Sequence, residues 1–123
     1  MLVISYGVEI RQVAEAVKLL DRKPTVIKIN RIYPLGDALV KLAGMYPKIF
    51  IYEEGYRYGG VGSMLCQKLT EAGYKGDLSV CGIPPEFVRH ATIAETLAEY
   101  GLDASSIHED LKRYYDKKGE NGR

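Results

Sequence analysis

Four short apolar runs rich in β-branched residues alternate with stretches of helical periodicity, and no other feature constrains the fold of this chain as much. The runs are Leu2-Val3-Ile4-Ser5-Tyr6, closed by Gly7; Thr25-Val26-Ile27-Lys28-Ile29; Ile49-Phe50-Ile51-Tyr52; and Leu78-Ser79-Val80-Cys81. Each has the length and side-chain type of a strand. The stretches between them carry apolar residues three and four apart, the period of a helix with one buried face. Strands joined by helical crossovers run parallel, and a parallel sheet is covered on both faces. The expected class is therefore α/β with a largely parallel sheet.

The first helical stretch sets Ile10, Val13, Ala14, Val17 and Leu20 against a charged side of Glu9, Arg11, Glu15 and Lys18, and Pro24 stops it. After a turn at Pro34, Leu39, Leu42, Ala43 and Tyr46 share one side of a second helix, which Pro47 ends. A third runs from about Val61 to Ala72 and is closed by Gly73. Thr92 and Glu95, beyond Pro84-Pro85, have the spacing of a capping box, and that helix ends at Gly101. Asp103 can cap a last helix with Ile107, Leu111 and Tyr114 inward. From Lys117 onward nothing is left to bury. Residues 1–116 are thus expected to form one domain and 117–123 a frayed polar tail.

Composition removes several function classes. A chain of 123 residues, 46% apolar and 27% charged, buries a core without staples and is neither disordered nor collagen-like. Seventeen basic and sixteen acidic side chains leave a net charge of +1, so no global field favours nucleic acid or a membrane surface. No apolar run approaches the ~20 residues of a membrane span. Cys66 and Cys81 are too few for a disulfide framework or a Cys-rich zinc site, and read as small buried hydrophobes. No signal-peptide pattern precedes the first strand, so the expected location is the cytoplasm.

The chemistry-bearing residues concentrate between Ile51 and Ser63, where a strand feeds Glu53-Glu54-Gly55, then Tyr56-Arg57-Tyr58, then Gly59-Gly60-Val61-Gly62-Ser63 at a helix start. Free N–H groups at a helix N-terminus attract anions. An anion or regulatory ligand could therefore sit near Gly59, Gly60, Gly62 and Ser63. Against this, the spacing matches neither the dinucleotide fingerprint nor the P-loop, and Glu53 and Glu54 stand at the mouth. The alternative is that a carboxylate of this segment satisfies the helix itself and the glycines permit close packing. Successive strand side chains point to opposite faces, which argues against Glu53 and Glu54 as a paired acid and base. Tyr56, Arg57 and Tyr58 suit either an interface or packing on their own domain. His90 follows a proline-rich turn and could face a cleft or an interface. His108 lies on the charged side of the last helix, where solvation is expected. Neither a nucleophile elbow nor a metal-ligand spacing is present, so no catalytic, cofactor-binding or metal-binding residue is assigned.

Four segments in order carry a family resemblance: Arg31-Ile32-Tyr33-Pro34-Leu35, Ile51-Tyr52-Glu53-Glu54-Gly55 with Gly59-Gly60-Val61-Gly62, Gly82-Ile83-Pro84-Pro85-Glu86-Phe87-Val88-Arg89-His90, and Glu99-Tyr100-Gly101-Leu102-Asp103-Ala104. Together they resemble the C-terminal domain of the transketolase superfamily, over roughly Leu2 to Leu111. The last segment is similar to the ending of the 1-deoxy-D-xylulose-5-phosphate synthase family. Transketolases and the β-subunits of 2-oxoacid dehydrogenases share the domain. Gly36 stands where the family usually has Asp, and Ala91 where Gly is common.

The resemblance implies a three-layer α/β/α sandwich around a five-stranded, mostly parallel mixed sheet. It implies that thiamine diphosphate and Mg²⁺ belong to other domains of the complete enzyme, since the Gly-Asp-Gly motif that holds the diphosphate is missing here. No cofactor is then expected on this chain alone. The implied partners are those missing thiamine-binding domains or a subunit carrying them, within a homodimer. The implied reaction of the whole is condensation of pyruvate with glyceraldehyde 3-phosphate to 1-deoxyxylulose 5-phosphate and CO₂. Support of subunit contacts is the implied role of this part, with a regulatory ligand as a second. A transketolase, a dehydrogenase β-subunit or a stand-alone anion- or nucleotide-binding module are the alternatives. The chain is expected to be either an excised fragment or one piece of a split enzyme.

Overall fold

The computed structural model describes residues 1–30, 35–56, 60–83 and 92–120. Strands β1 (Leu2–Tyr6), β2 (Thr25–Ile29), β3 (Lys48–Tyr56) and β4 (Asp77–Ile83) alternate with helices α1 (Glu9–Lys18), α2 (Asp37–Ala43) and α3 (Val61–Glu71). Helices α4 (Ile93–Glu99) and α5 (Ala104–Glu120) follow. The strands form one sheet in the order β2-β1-β3-β4, and every pairing is parallel. Among the described residues the sheet has these four strands, not five of mixed direction. The chain holds four β-branched apolar runs and each became a strand; the fifth rested on family resemblance alone.

Side-chain alternation along the central strands builds two cores. Leu2, Ile4, Ile49 and Ile51 point to one face and meet Val61, Leu65 and Leu69 of α3 and Ala43 of α2. Val3, Phe50 and Tyr52 point to the other and meet Val13 and Ala16 of α1 and Ile107 and Leu111 of α5. Both faces of β1 and of the Ile49–Tyr52 stretch of β3 are therefore dry, which explains why these two stretches are so uniformly apolar. Edge strand β2 is exposed at Thr25, Val26 and Lys28, a polar dilution common in edge strands.

Polar groups tie the layers together. Gln12 of α1 accepts at Oε1 from the Ala104 N–H at the start of α5, 2.8 Å away. The Lys23 ammonium donates to the carbonyls of Val17, Lys18 and Leu20, closing the C-terminus of α1 where its dipole favours a cation. Thr92 and Glu95 form the capping box in both directions. Asp103 accepts from Ser106 N–H at 3.2 Å, an N-cap for α5. Lys48 is buried, with its ammonium 2.8 Å from Asp77 Oδ2, 2.6 Å from Ser79 Oγ and 4.4 Å from the centre of the Phe50 ring.

Several expectations are corrected here. Cys66 is exposed and is no core hydrophobe, whereas Cys81 is half-buried and packs against the second core. Val61, Leu65 and Leu69, four residues apart, take the inner face of α3 and leave Cys66 outside. In α1 the buried small residue is Ala16, not Ala14, because α5 packs along the Val13–Ala16 side. Leu42 lies on the outer side of α2, where Ala43 faces the sheet. His108 is half-buried rather than solvated, its Nδ1 3.2 Å from the Ala16 carbonyl oxygen on the facing helix. Helix α5 continues through Lys117 and Lys118 to Glu120.

Candidate functional site at the carboxyl edge of the sheet

From β1 the chain passes through α1 to β2, then crosses back through α2 to β3 on the other side of β1. The carboxyl ends of β1 and β3 are thus the topological switch point, the crevice where open α/β sheets bind ligands. Here that crevice is filled by the protein's own groups. The register pairs Ser5 with Tyr52, which brings Tyr6 beside Glu53. Glu53 is fully buried. Its Oε1 accepts from the Tyr6 hydroxyl at 2.6 Å, and its Oε2 accepts from the Gly62 N–H at 2.8 Å.

The second bond replaces a helix cap. Gly60 is the N-cap residue of α3 and has no side chain to offer, so the first-turn N–H at Gly62 is met by Glu53 instead. A carboxylate at this position also lies in the favourable field of the helix dipole. The approach needs glycine at position 62. A Cβ there would sit 2.6 Å from Val80 Cγ1 and 2.8 Å from Glu53 Oε2. Gly60 has ordinary extended backbone, φ −93° and ψ −163°, so no such demand is made there. Ser63 is half-buried in the first turn.

Of the residues singled out by sequence, Glu53, Gly60, Gly62 and Ser63 come together at this edge. Glu54 and Tyr56 belong to β3 by their backbone, and their side chains fall outside what is described. Arg57, Tyr58, Gly59 and His90 lie outside the described residues. The sequence gives Tyr6 and Ser5 no role at this site, and it puts Glu9 on the charged side of α1, where the structure instead buries it. Ser5 is buried and donates from Oγ to the Tyr52 carbonyl at 2.8 Å. Glu9 is buried at the start of α1, a second carboxylate on the same edge. Ser5 and Glu9 left a faint signal, as polar residues flanking an apolar run. Tyr6 left none, because its role needs the β1–β3 register.

On the other face, Tyr52 is buried and donates to Asp110 Oδ2 of α5 at 3.2 Å. Burial, reinforced by Cys81 and Asp110 beside it, pushes its phenol well above the usual tyrosine range. The folded pKa is raised, so this stability is complete below the unfolded value of about 10 and is lost as pH rises past it. Stability should therefore fall above pH ~10 by roughly 1.4 kcal/mol per pH unit from this group. Denaturant melts across that range should show a shallower alkaline slope for Tyr52→Phe than for the parent. Equal slopes would mean that Tyr52 is not sequestered.

The arrangement suits support better than chemistry. Both carboxylate oxygens of Glu53 are engaged, and one first-turn N–H of α3, that of Gly62, is already taken. A carboxylate already seated on the Gly62 N–H does not fit a diphosphate at that same donor. The described residues also contain no group of three His, Cys, Asp or Glu side chains that could hold a metal ion.

An open parallel α/β domain whose switch point is closed by its own carboxylate is what the fold and this edge define. Residues 1–107 match the model of the transketolase C-terminal domain family, and the chain belongs to it. It is 36% identical over 110 residues to 1-deoxy-D-xylulose-5-phosphate synthase 2 of Streptomyces coelicolor, covering 87% of this chain and 17% of the relative. It is 33% identical over 114 residues to 1-deoxy-D-xylulose-5-phosphate synthase of Pseudomonas aeruginosa, covering 92% and 18% respectively. The chain thus spans less than a fifth of the length of these relatives. A solved structure titled split gene transketolase, inactive beta4 tetramer, shares the fold at a TM-score of 0.79 and 22% identity, over 91% of this chain and 38% of that one. No helix among the described residues is long and apolar enough to cross a membrane.

Proposed function

We propose that this chain is the C-terminal, non-catalytic domain or separate subunit of a thiamine-diphosphate-dependent 1-deoxy-D-xylulose-5-phosphate synthase. In this reading it is inactive alone. The single observation that carries it is the lopsided coverage: nearly all of this chain matches less than a fifth of enzymes of that name. The filled switch point supports the same division of labour, because a scaffold needs a rigid edge and Glu53 provides one. Thiamine diphosphate and Mg²⁺ then sit on the partner domains, which would carry out the condensation of pyruvate with glyceraldehyde 3-phosphate. The working assembly would be a cytoplasmic dimer, with residues 1–116 as the docking unit and Tyr56, Arg57 and Tyr58 as part of the contact.

The test is reconstitution. The Streptomyces coelicolor relative, made without its matching 110 residues, would be mixed with this chain in the presence of thiamine diphosphate and Mg²⁺. Release of CO₂ dependent on both substrates is expected from the mixture and from neither part alone. If the truncated relative is rescued by its own missing domain but not by this chain, the reading fails.

A further inference from the structure

The carboxyl edge is filled, but the opposite end of the sheet is not. A groove of about 850 Å³ opens there between the exits of α2 and α3, where β3 and β4 begin. Val40 and Pro47 line it with apolar surface above the buried Leu69, and Met45 stands on its rim 72% exposed. Its walls are tied together: the Tyr74 hydroxyl donates to the Tyr46 carbonyl at 2.7 Å, and Asp77 N–H donates to the Pro47 carbonyl at 3.0 Å. A recess braced in this way is formed before anything enters it, which lowers the ordering cost of binding.

Two observations indicate what enters. The first is position. Strand β1 starts at this end of the sheet, and Thr25, opposite Leu2 in the register, touches the groove wall through the Tyr46 hydroxyl at 3.1 Å. In relatives about five times longer, matched through a C-terminal domain model, the preceding polypeptide must arrive at β1 on this side. The second is charge. Lys41 and Lys75 line the groove against one acid, Asp37, and neither lysine is in an ion pair among the described residues.

We infer that this groove seats the polypeptide segment that leads into β1 in the full-length enzymes, an extended stretch presenting an apolar side chain to Val40 and Met45 and a carboxylate to Lys41 and Lys75. The inference rests on the reading of the chain as a C-terminal domain. Its test needs no catalysis, so the two can fail separately.

About thirty residues preceding the matched region of the Streptomyces coelicolor relative would be fused ahead of Met1 (length set by an extended reach of roughly 3.3 Å per residue). Met45→Cys, in a Cys66→Ser background, supplies a thiol on the groove rim. Tethering gives an effective concentration in the millimolar range, so alkylation of that thiol should slow roughly tenfold relative to the unfused chain. Lys41→Glu with Lys75→Glu should restore the fast rate. Amide exchange at Gly44–Tyr46 and Gly73–Gly76 gives an independent reading and should slow in the fusion only. Unchanged alkylation together with unchanged exchange would overturn the inference. Protection that appears without the fusion and grows with protein concentration would overturn it too, by making a second copy the occupant.

Discussion

Gly62→Ala is expected to destabilise the domain by about 2–3 kcal/mol, although alanine is the better helix former. The helix-propensity gain is about 1 kcal/mol. Against it stand a methyl group 2.6 Å from Val80 Cγ1, and displacement of the Glu53 carboxylate from the N–H it caps. Overpacking typically costs 1–3 kcal/mol and a lost bond to a charged acceptor a further 1.5–3, so sterics decide the sign. For a chain of this size the melting temperature should drop by roughly 10 °C. Gly36→Ser is the contrast: nothing lies within 4 Å of its Cβ position, and serine at the N-cap of α2 should change stability by no more than a few tenths of a kcal/mol, upward. Thermal melts of both variants decide it. A Gly62→Ala protein melting with the parent would mean that α3 does not approach β3 and β4 as closely as described.

Glu53→Ala should cost more, about 4 kcal/mol, since it leaves a cavity and takes the acceptor from the buried Gly62 N–H and the half-buried Tyr6 O–H. Glu53→Gln should cost only about 1 kcal/mol. The amide oxygen can still accept from Gly62, and its NH₂ can donate to the Tyr6 oxygen once that hydroxyl turns. The ratio between the two variants, read from urea denaturation midpoints, separates a hydrogen-bonding role from one that needs charge. If Gln proves as damaging as Ala, the negative charge at the α3 terminus is what matters. In the reconstituted enzyme Glu53→Gln should leave turnover within about threefold of the parent, because the group has no free oxygen for substrate.

The strands were legible because both faces of a parallel sheet are dry. Thr25–Ile29 was bounded to the residue, and β1 and β4 to within one or two positions. Strand β3 runs on past Tyr52 to Tyr56, where Glu53 and Glu54 concealed it: a strand that ends in a buried, hydrogen-bonded carboxylate does not look apolar. The self-capping of α3 was also legible, since Glu53 precedes a run of glycines that offers no cap of its own. What escaped depends on register and helix rotation. Tyr6 meets Glu53 only because Ser5 lies opposite Tyr52. His108 meets Ala16 only because α5 packs along α1, and Cys66 turns outward only because Leu65 and Leu69 turn in. The groove at the other end of the sheet depends on how far apart α2 and α3 stop, which no local pattern encodes.

A titration of the isotopically labelled chain with thiamine diphosphate and Mg²⁺, followed at the Gly62 amide, asks most directly whether the switch point is closed from within. With Glu53 seated on that N–H, the resonance should stay in place up to concentrations on the order of 1 mM, where only binding weaker than about 4 kcal/mol would go unseen. A saturable shift of Gly62 with one cofactor bound per chain would contradict a scaffold whose helix terminus is already taken.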